Sequence, residues 1–129
     1  MADTETKKRK KILLVDDSAT ALMMEKMILR GSAYDLVVAT NGKDAFDTAV
    51  RERPDLILMD VIMPRMNGFE ACRMLRGVEH MGATPIIMVT TRGEPENVEV
   101  GYASGCTDYV TKPIDAAELL AKLKSYLGD

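Results

Sequence analysis

No apolar run in this 129-residue sequence approaches the roughly 20 residues that span a bilayer. Residues 1–11 are polar and charged, with no apolar stretch of the kind that directs export. A membrane role is therefore not expected, and the cytoplasm is the expected location. The two cysteines, Cys72 and Cys106, lack a C-x-x-C spacing and have no histidine beside them. They read as reduced thiols filling small spaces, not as metal ligands. The lone His80 falls between a helical and a strand pattern and is assigned no role. Excess positive charge is also missing: the formal net charge is −3, which argues against nucleic acid as a general partner. There is no internal repeat, no low-complexity tract and no P-loop.

What is present is enough apolar residue, 47%, to build a packed core in one domain. Five short apolar runs recur: Ile12–Val15, Leu36–Ala39, Leu56–Met59, Pro85–Val89 and Tyr109–Val110. The first, third and fourth are apolar at every position, which suits strands buried on both faces of a parallel sheet. The second and fifth read as edge strands. Helical stripes lie between them: Leu22, Met23, Met27 and Ile28; Ala45, Phe46, Ala49 and Val50; Phe69, Cys72 and Leu75; Ala116, Leu119, Leu120, Leu123 and Leu127. Asp115 with Glu118 resembles a capping box, and Pro95 suits a first helical turn. Residues 94–104 form the weakest helical pattern, with Val98, Tyr102 and Ala103 to bury. Met23, Met27, Met59 and Met88 are expected in the core, and Met63 and Met66 beside a functional loop, exposed to a partner. The basic run of residues 7–11 reads as a solvated tail, giving a tail over 1–10 and a domain over 11–129. Strand–helix alternation repeated five times implies an α/β, doubly wound parallel sheet.

In such a sheet, ligands bind beyond the carboxyl ends of the strands. The first run ends in Asp16 and Asp17, the third in Asp60, the fourth in Thr90 and Thr91, and the fifth in Thr111, Lys112 and Pro113. Any one of these could be a cap or turn residue. Caps do not require an acid pair, a third acid and a lysine in one place. Three carboxylates within about 5 Å repel by roughly 3 kcal/mol per pair at an effective dielectric near 20. A hard divalent cation relieves that repulsion, and oxygen-only ligands favour Mg2+. A carboxylate can act as a nucleophile toward phosphorus, with Lys112 as a point charge and Thr90 as a neutral donor for phosphoryl oxygens.

These residues carry a resemblance. Ile12–Asp17, Leu58–Pro64 with Asn67 and Gly68, Val89 with Thr90, and Asp108–Pro113 together resemble bacterial response-regulator receiver domains of the single-domain, CheY-like type. The motifs run in the family's order over almost the whole chain. The resemblance implies a flavodoxin-like (βα)5 sandwich with strand order 2-1-3-4-5. It implies Asp60 as phosphoacceptor, Asp17 as direct Mg2+ ligand, Asp16 as the acid that holds the metal through water, and the backbone carbonyl of Ile62 as a further ligand. Thr90 matches the switch hydroxyl, Tyr109 the switch aromatic that rotates inward on phosphorylation, and Lys112 the active-site lysine, with Lys112–Pro113 cis. The implied partners are a histidine kinase, a downstream protein docking on the fourth helix, fifth strand and last helix, and a phosphatase. The implied role is a phospho-acceptor switch in two-component signalling, in chemotaxis or motility control, rather than an enzyme.

Other readings fit less well. A haloacid-dehalogenase-type phosphatase needs an acid two residues after its nucleophile, where Ile62 stands. A flavodoxin needs a phosphate-cradling loop where Asp17-Ser18-Ala19 follows the first strand. A phosphate sink or relay receiver, and a receiver-like binding module that is not phosphorylated, remain as alternatives; a module of the second kind would normally have lost an acid or the lysine. The sequence ends directly after its last helical stripe, so output through a protein contact or onward phosphotransfer is expected, unless the chain is a receiver excised from a longer protein. Ile62, Thr91 and Arg92 depart from the polar or small residues of fast-resetting chemotaxis regulators, which predicts slow self-dephosphorylation.

Overall fold

The computed structural model describes residues 9–63, 66–90 and 95–128. Five strands form one parallel sheet: β1 (Lys10–Val15), β2 (Tyr34–Ala39), β3 (Leu56–Asp60), β4 (Ile86–Thr90) and β5 (Asp108–Thr111), in the order β2-β1-β3-β4-β5. The helices are α1 (Ala19–Leu29), α2 (Gly42–Glu52), α3 (Gly68–Arg76), α4 (Pro95–Ala103) and α5 (Ala116–Leu127), with a 3-10 turn at Glu79–Met81. This is the expected fold, with β2 and β5 at the edges. β1 already includes Lys10, and Arg9 pairs with Asp35 of β2 at 2.7 Å, so the end of the basic run joins the sheet.

The residue-by-residue apolarity of β1, β3 and β4 has a direct consequence. Alternate side chains point to opposite faces. Leu13, Val15, Ile57, Met59 and Met88 join Ala45, Ala49, Cys72 and Leu75 on the α2–α3 side. Ile12, Leu14, Leu58, Ile87 and Val89 join Leu22, Leu29, Leu119 and Leu123 on the α1–α5 side. Both cysteines are free and buried, and His80 is exposed.

Several side chains stand differently from expectation. Met59 and Met88 are fully buried, but Met23 and Met27 are each 61% exposed, because the inward stripe of α1 is Leu22, Glu25 and Leu29. Steps of three and then four residues from Leu22 lead to Glu25 and Leu29, whereas Met23 and Met27 fall outside that stripe. Met63 is buried and Met66 packs partly on the core, so neither is the exposed partner contact expected. Val50, Leu120, Tyr102 and Ala116 are also exposed. The complete capping box is at Asn67 and Glu70; Asp115 caps α5 by accepting from the Glu118 N–H alone. The side chain of Val98, and Pro64, Thr91 and Arg92, lie outside the described residues.

Candidate functional site

The carboxyl ends of β1, β3, β4 and β5 deliver the polar residues to one edge. Asp16 follows Val15, and its backbone N–H donates to Ala39 O at 3.2 Å, which continues the strand ladder by one residue. Its Oδ1 accepts from the Ser18 N–H at 2.9 Å, and Ser18 in turn caps α1. Asp16 is thereby buried, while Asp17 beside it points to solvent. Asp60 ends β3, and its Oδ1 accepts from the Val61 N–H at 3.0 Å. The chain then turns so sharply into α3 that Gly68 donates its N–H to Val61 O at 2.8 Å. A Cβ on Gly68 would lie 2.3 Å from the Asp60 backbone oxygen, so only glycine fits.

Carboxylate oxygens of Asp16, Asp17 and Asp60 lie within 4.8 Å of one another. Lys112, after β5, sets its Nζ 2.7 Å from Asp16 Oδ2 and 3.7 Å from Asp60 Oδ1. Its backbone N–H donates to Thr90 O at 2.6 Å, and the Lys112–Pro113 bond is cis, as the resemblance implies. Thr90 is buried at the end of β4, directly across from Thr111. Ile62 sits two residues past Asp60 with its side chain 74% exposed. Strand alternation places Thr90 and Tyr109 on the face of the sheet that Met88 occupies. The Tyr109 ring packs against the core beside Gly101 and Phe69, and its hydroxyl is buried without a hydrogen-bond partner among the described residues. The ring is therefore already inward here, where the sequence led to an inward movement on phosphorylation.

The electrostatics follow from burial and crowding. Burial first, and Asp16 second, push Asp60 up to about 6, although Lys112 and the Val61 N–H pull against them. Burial opposes the charge on Lys112, but the hydrogen bond to Asp16 and the nearby Asp60 outweigh it and hold its pKa above the ordinary lysine value. One participant escaped sequence reading. Glu25 on α1 is 1% exposed and feels Asp16, Lys112 and Asp60. A signal did exist, since Glu25 follows Leu22 by three residues on a short helix.

The acid cluster fits a hard divalent cation: its donors are all oxygen, one acid is exposed and open to solvent, and the like charges crowd each other without it. The sequence model of the response regulator receiver domain matches residues 12–124, and the chain belongs to that family of two-component signalling proteins. It is 42% identical to the DNA-binding response regulator MtrA of Mycobacterium tuberculosis, over 92% of this chain and 51% of MtrA. The chain thus spans about half the length of that relative. Among solved structures, the chemotaxis protein CheY4 of Vibrio cholerae is 36% identical with a TM-score of 0.87, covering 93% of this chain and all of CheY4. The receiver domain of the Pseudomonas aeruginosa sensor histidine kinase PA1611, 32% identical with a TM-score of 0.87 over 95% of this chain and all of that domain, has a magnesium ion coordinated in its active-site cleft. Among the described residues, no helix is long and apolar enough to cross a membrane.

Proposed function

We propose that this receiver domain accepts a phosphoryl group from a histidine kinase onto Asp60, with Mg2+ held by Asp17, Asp60, the Ile62 carbonyl and, through water, Asp16. The observation that carries the reading is the approach of Asp16, Asp17 and Asp60 within 4.8 Å, spanned by the Lys112 ammonium. A bound Mg2+ would supply charge neutralisation among these carboxylates and a second cation for phosphoryl oxygens. The chain's own residues do the rest. The Asp60 carboxylate attacks phosphorus and displaces the kinase histidine, giving an acyl phosphate. The Val61 N–H fixes the Asp60 rotamer through Oδ1, which leaves Oδ2 as the nucleophilic atom. Lys112 pairs with a phosphoryl oxygen, and Thr90 donates its hydroxyl to another.

That new acceptor at Thr90 biases the packing of Tyr109 and so the α4–β5–α5 surface. This surface suits a protein partner. Tyr102 of α4 and Tyr126 of α5 are both exposed, and both feel Asp108 of β5. Asp108 ties β5 to α5 by accepting from Lys122 at 3.0 Å and from Tyr126 at 2.9 Å. The match to all of CheY4 favours a role in chemotaxis or motility control, while the match to MtrA leaves room for DNA-linked output in a longer protein. The test is labelling with acetyl phosphate and Mg2+. Wild type should be labelled, Asp60→Asn should not, and Asp17→Ala should need far more Mg2+. Undiminished labelling of the Asn variant would remove Asp60 from this role.

A further inference from the structure

Glu25 is an expensive residue in its place. It sits in the inward stripe of α1 between Leu22 and Leu29, 1% exposed, and its Oε1 has no hydrogen-bond partner among the described residues. A buried, unpaired polar group destabilises the fold, and an apolar side chain of similar size would avoid that cost. Its surroundings show what it can do. A cavity of about 310 Å3 opens between α1 and the loop after β5. Ala21, Met24, Pro113 and Ile114 make it apolar, and Glu25 and Lys112 are its two charged residues. Glu25 thus shares this space with Lys112, on a different element from Asp16 and Asp60.

Lys112 has a conflict that Glu25 can resolve. Its ammonium is bound to Asp16 at 2.7 Å, and Asp16 is also an acid of the proposed metal site. A divalent cation at that site, held at Asp16 through water, draws a hydrogen bond to the same carboxylate and repels the ammonium. Asp60, 3.7 Å away, is wanted by the metal as well. The remaining acid that acts on Lys112 is Glu25, through the cavity.

We propose that Glu25 is a positioning residue for Lys112: its unpaired Oε1 is a second acceptor that takes the ammonium when the metal claims Asp16. Lys112 then stays beside Asp60 instead of leaving for solvent. The inference rests on the proposed Mg2+-dependent phosphorylation of Asp60. Burial and Asp16 push the Glu25 carboxyl up to about 8 even with Lys112 pulling it down, so the two side chains already act on each other in the metal-free protein.

The experiment is a double-mutant cycle read by Mg2+ titration of amide chemical shifts. Glu25→Met removes the acceptor at similar length, and Glu25→Gln keeps a carbonyl oxygen. Glu25→Met should weaken Mg2+ binding about three- to tenfold, as expected for loss of one close acceptor for a cation. Glu25→Gln should fall between Met and wild type. In a Lys112→Met background the Glu25→Met effect should vanish, which a general packing role would not produce. Equal Mg2+ affinity for wild type and Glu25→Met, or an equal loss with and without Lys112, overturns the inference. The Lys112 side-chain signals of wild type supply a check free of folding effects: they should shift on Mg2+ addition in wild type and differ in Glu25→Gln, and unchanged signals overturn it too. Acetyl phosphate labelling of wild type separates the two levels. Normal labelling with no coupling removes only the role of Glu25, whereas no labelling despite Mg2+ binding removes the phosphorylation reading.

Discussion

The Tyr109 ring occupies the space that a side chain at Gly101 would need: a Cβ there would lie 2.8 Å from Tyr109 Cε2 and 3.3 Å from Phe69 Cε1. Gly101 on α4 is therefore what admits the ring to its inward position. Gly101→Ala should cost about 1–3 kcal/mol through overpacking and should push the ring outward. Urea unfolding followed by circular dichroism measures the cost, and the Tyr109 ring signals report the movement. In a Tyr109→Ala background the penalty should largely disappear. An equal penalty in both backgrounds would mean that Gly101 does not make room for Tyr109.

Asp60 gives a pH dependence of definite sign. Its folded-state pKa of about 6 exceeds its ordinary value of 3.8. Between those values the unfolded chain gives up the proton first, so stability falls as pH rises from about 4 to about 6. The penalty is complete above that window and absent below it. Metal-free Asp60→Asn should therefore be more stable than wild type at pH 7.5, by about 1 kcal/mol after discounting for partial exposure. The advantage should shrink toward pH 4, and Mg2+ should stabilise wild type more than the variant. Thermal melts across pH with and without Mg2+ make the comparison, and a pH-independent difference would contradict it.

Gly68 is predicted to be intolerant. The atom that meets its added Cβ at 2.3 Å belongs to the Asp60 backbone, which cannot move aside without moving the nucleophile. Gly68→Ala should lose about 2 kcal/mol or more of stability, and acetyl phosphate labelling should fall even where the protein is folded. A stable Gly68→Ala protein labelled at the wild-type rate would show that the turn can relax.

Arg76 closes the opposite end of the sheet. Its guanidinium donates to Gly105 O at 2.8 Å, Met81 O at 2.8 Å, Thr84 O at 2.7 Å and Thr107 Oγ1 at 3.2 Å. A lysine ammonium cannot reproduce this planar fork, so Arg76→Lys should cost about 2 kcal/mol in urea unfolding. Because the contacts are remote from Asp60, labelling of the folded variant should be unchanged; a labelling defect without a stability loss would refute this division.

Ile62 bears on how long the phosphoryl group persists. It stands two residues past Asp60, exposed, with no group to orient an attacking water. Ile62→Asn should shorten the half-life of the phosphorylated protein in excess Mg2+. A half-life equal to or longer than that of wild type removes Ile62 from control of hydrolysis.

The local elements were legible in the sequence because their signals are local. Continuous apolar runs ending in Asp16, Asp60, Thr90 and Lys112 mark buried parallel strands and the edge where ligands bind, whatever the order of the strands. Strand order itself came through resemblance, since the runs carry no information about which neighbour each one pairs with. Tertiary structure alone decided the facing of α1. Met23 and Met27 look like core, but the sheet accepts the stripe of Leu22, Glu25 and Leu29, leaving them outside together with Met24. Only the folded chain could bring Glu25 to Lys112, 87 residues away in sequence, or set Gly101 under Tyr109. Residue type along the chain specifies what each segment can bury; which particular groups meet is decided by packing between segments, and the chemistry of Lys112 depends on that meeting.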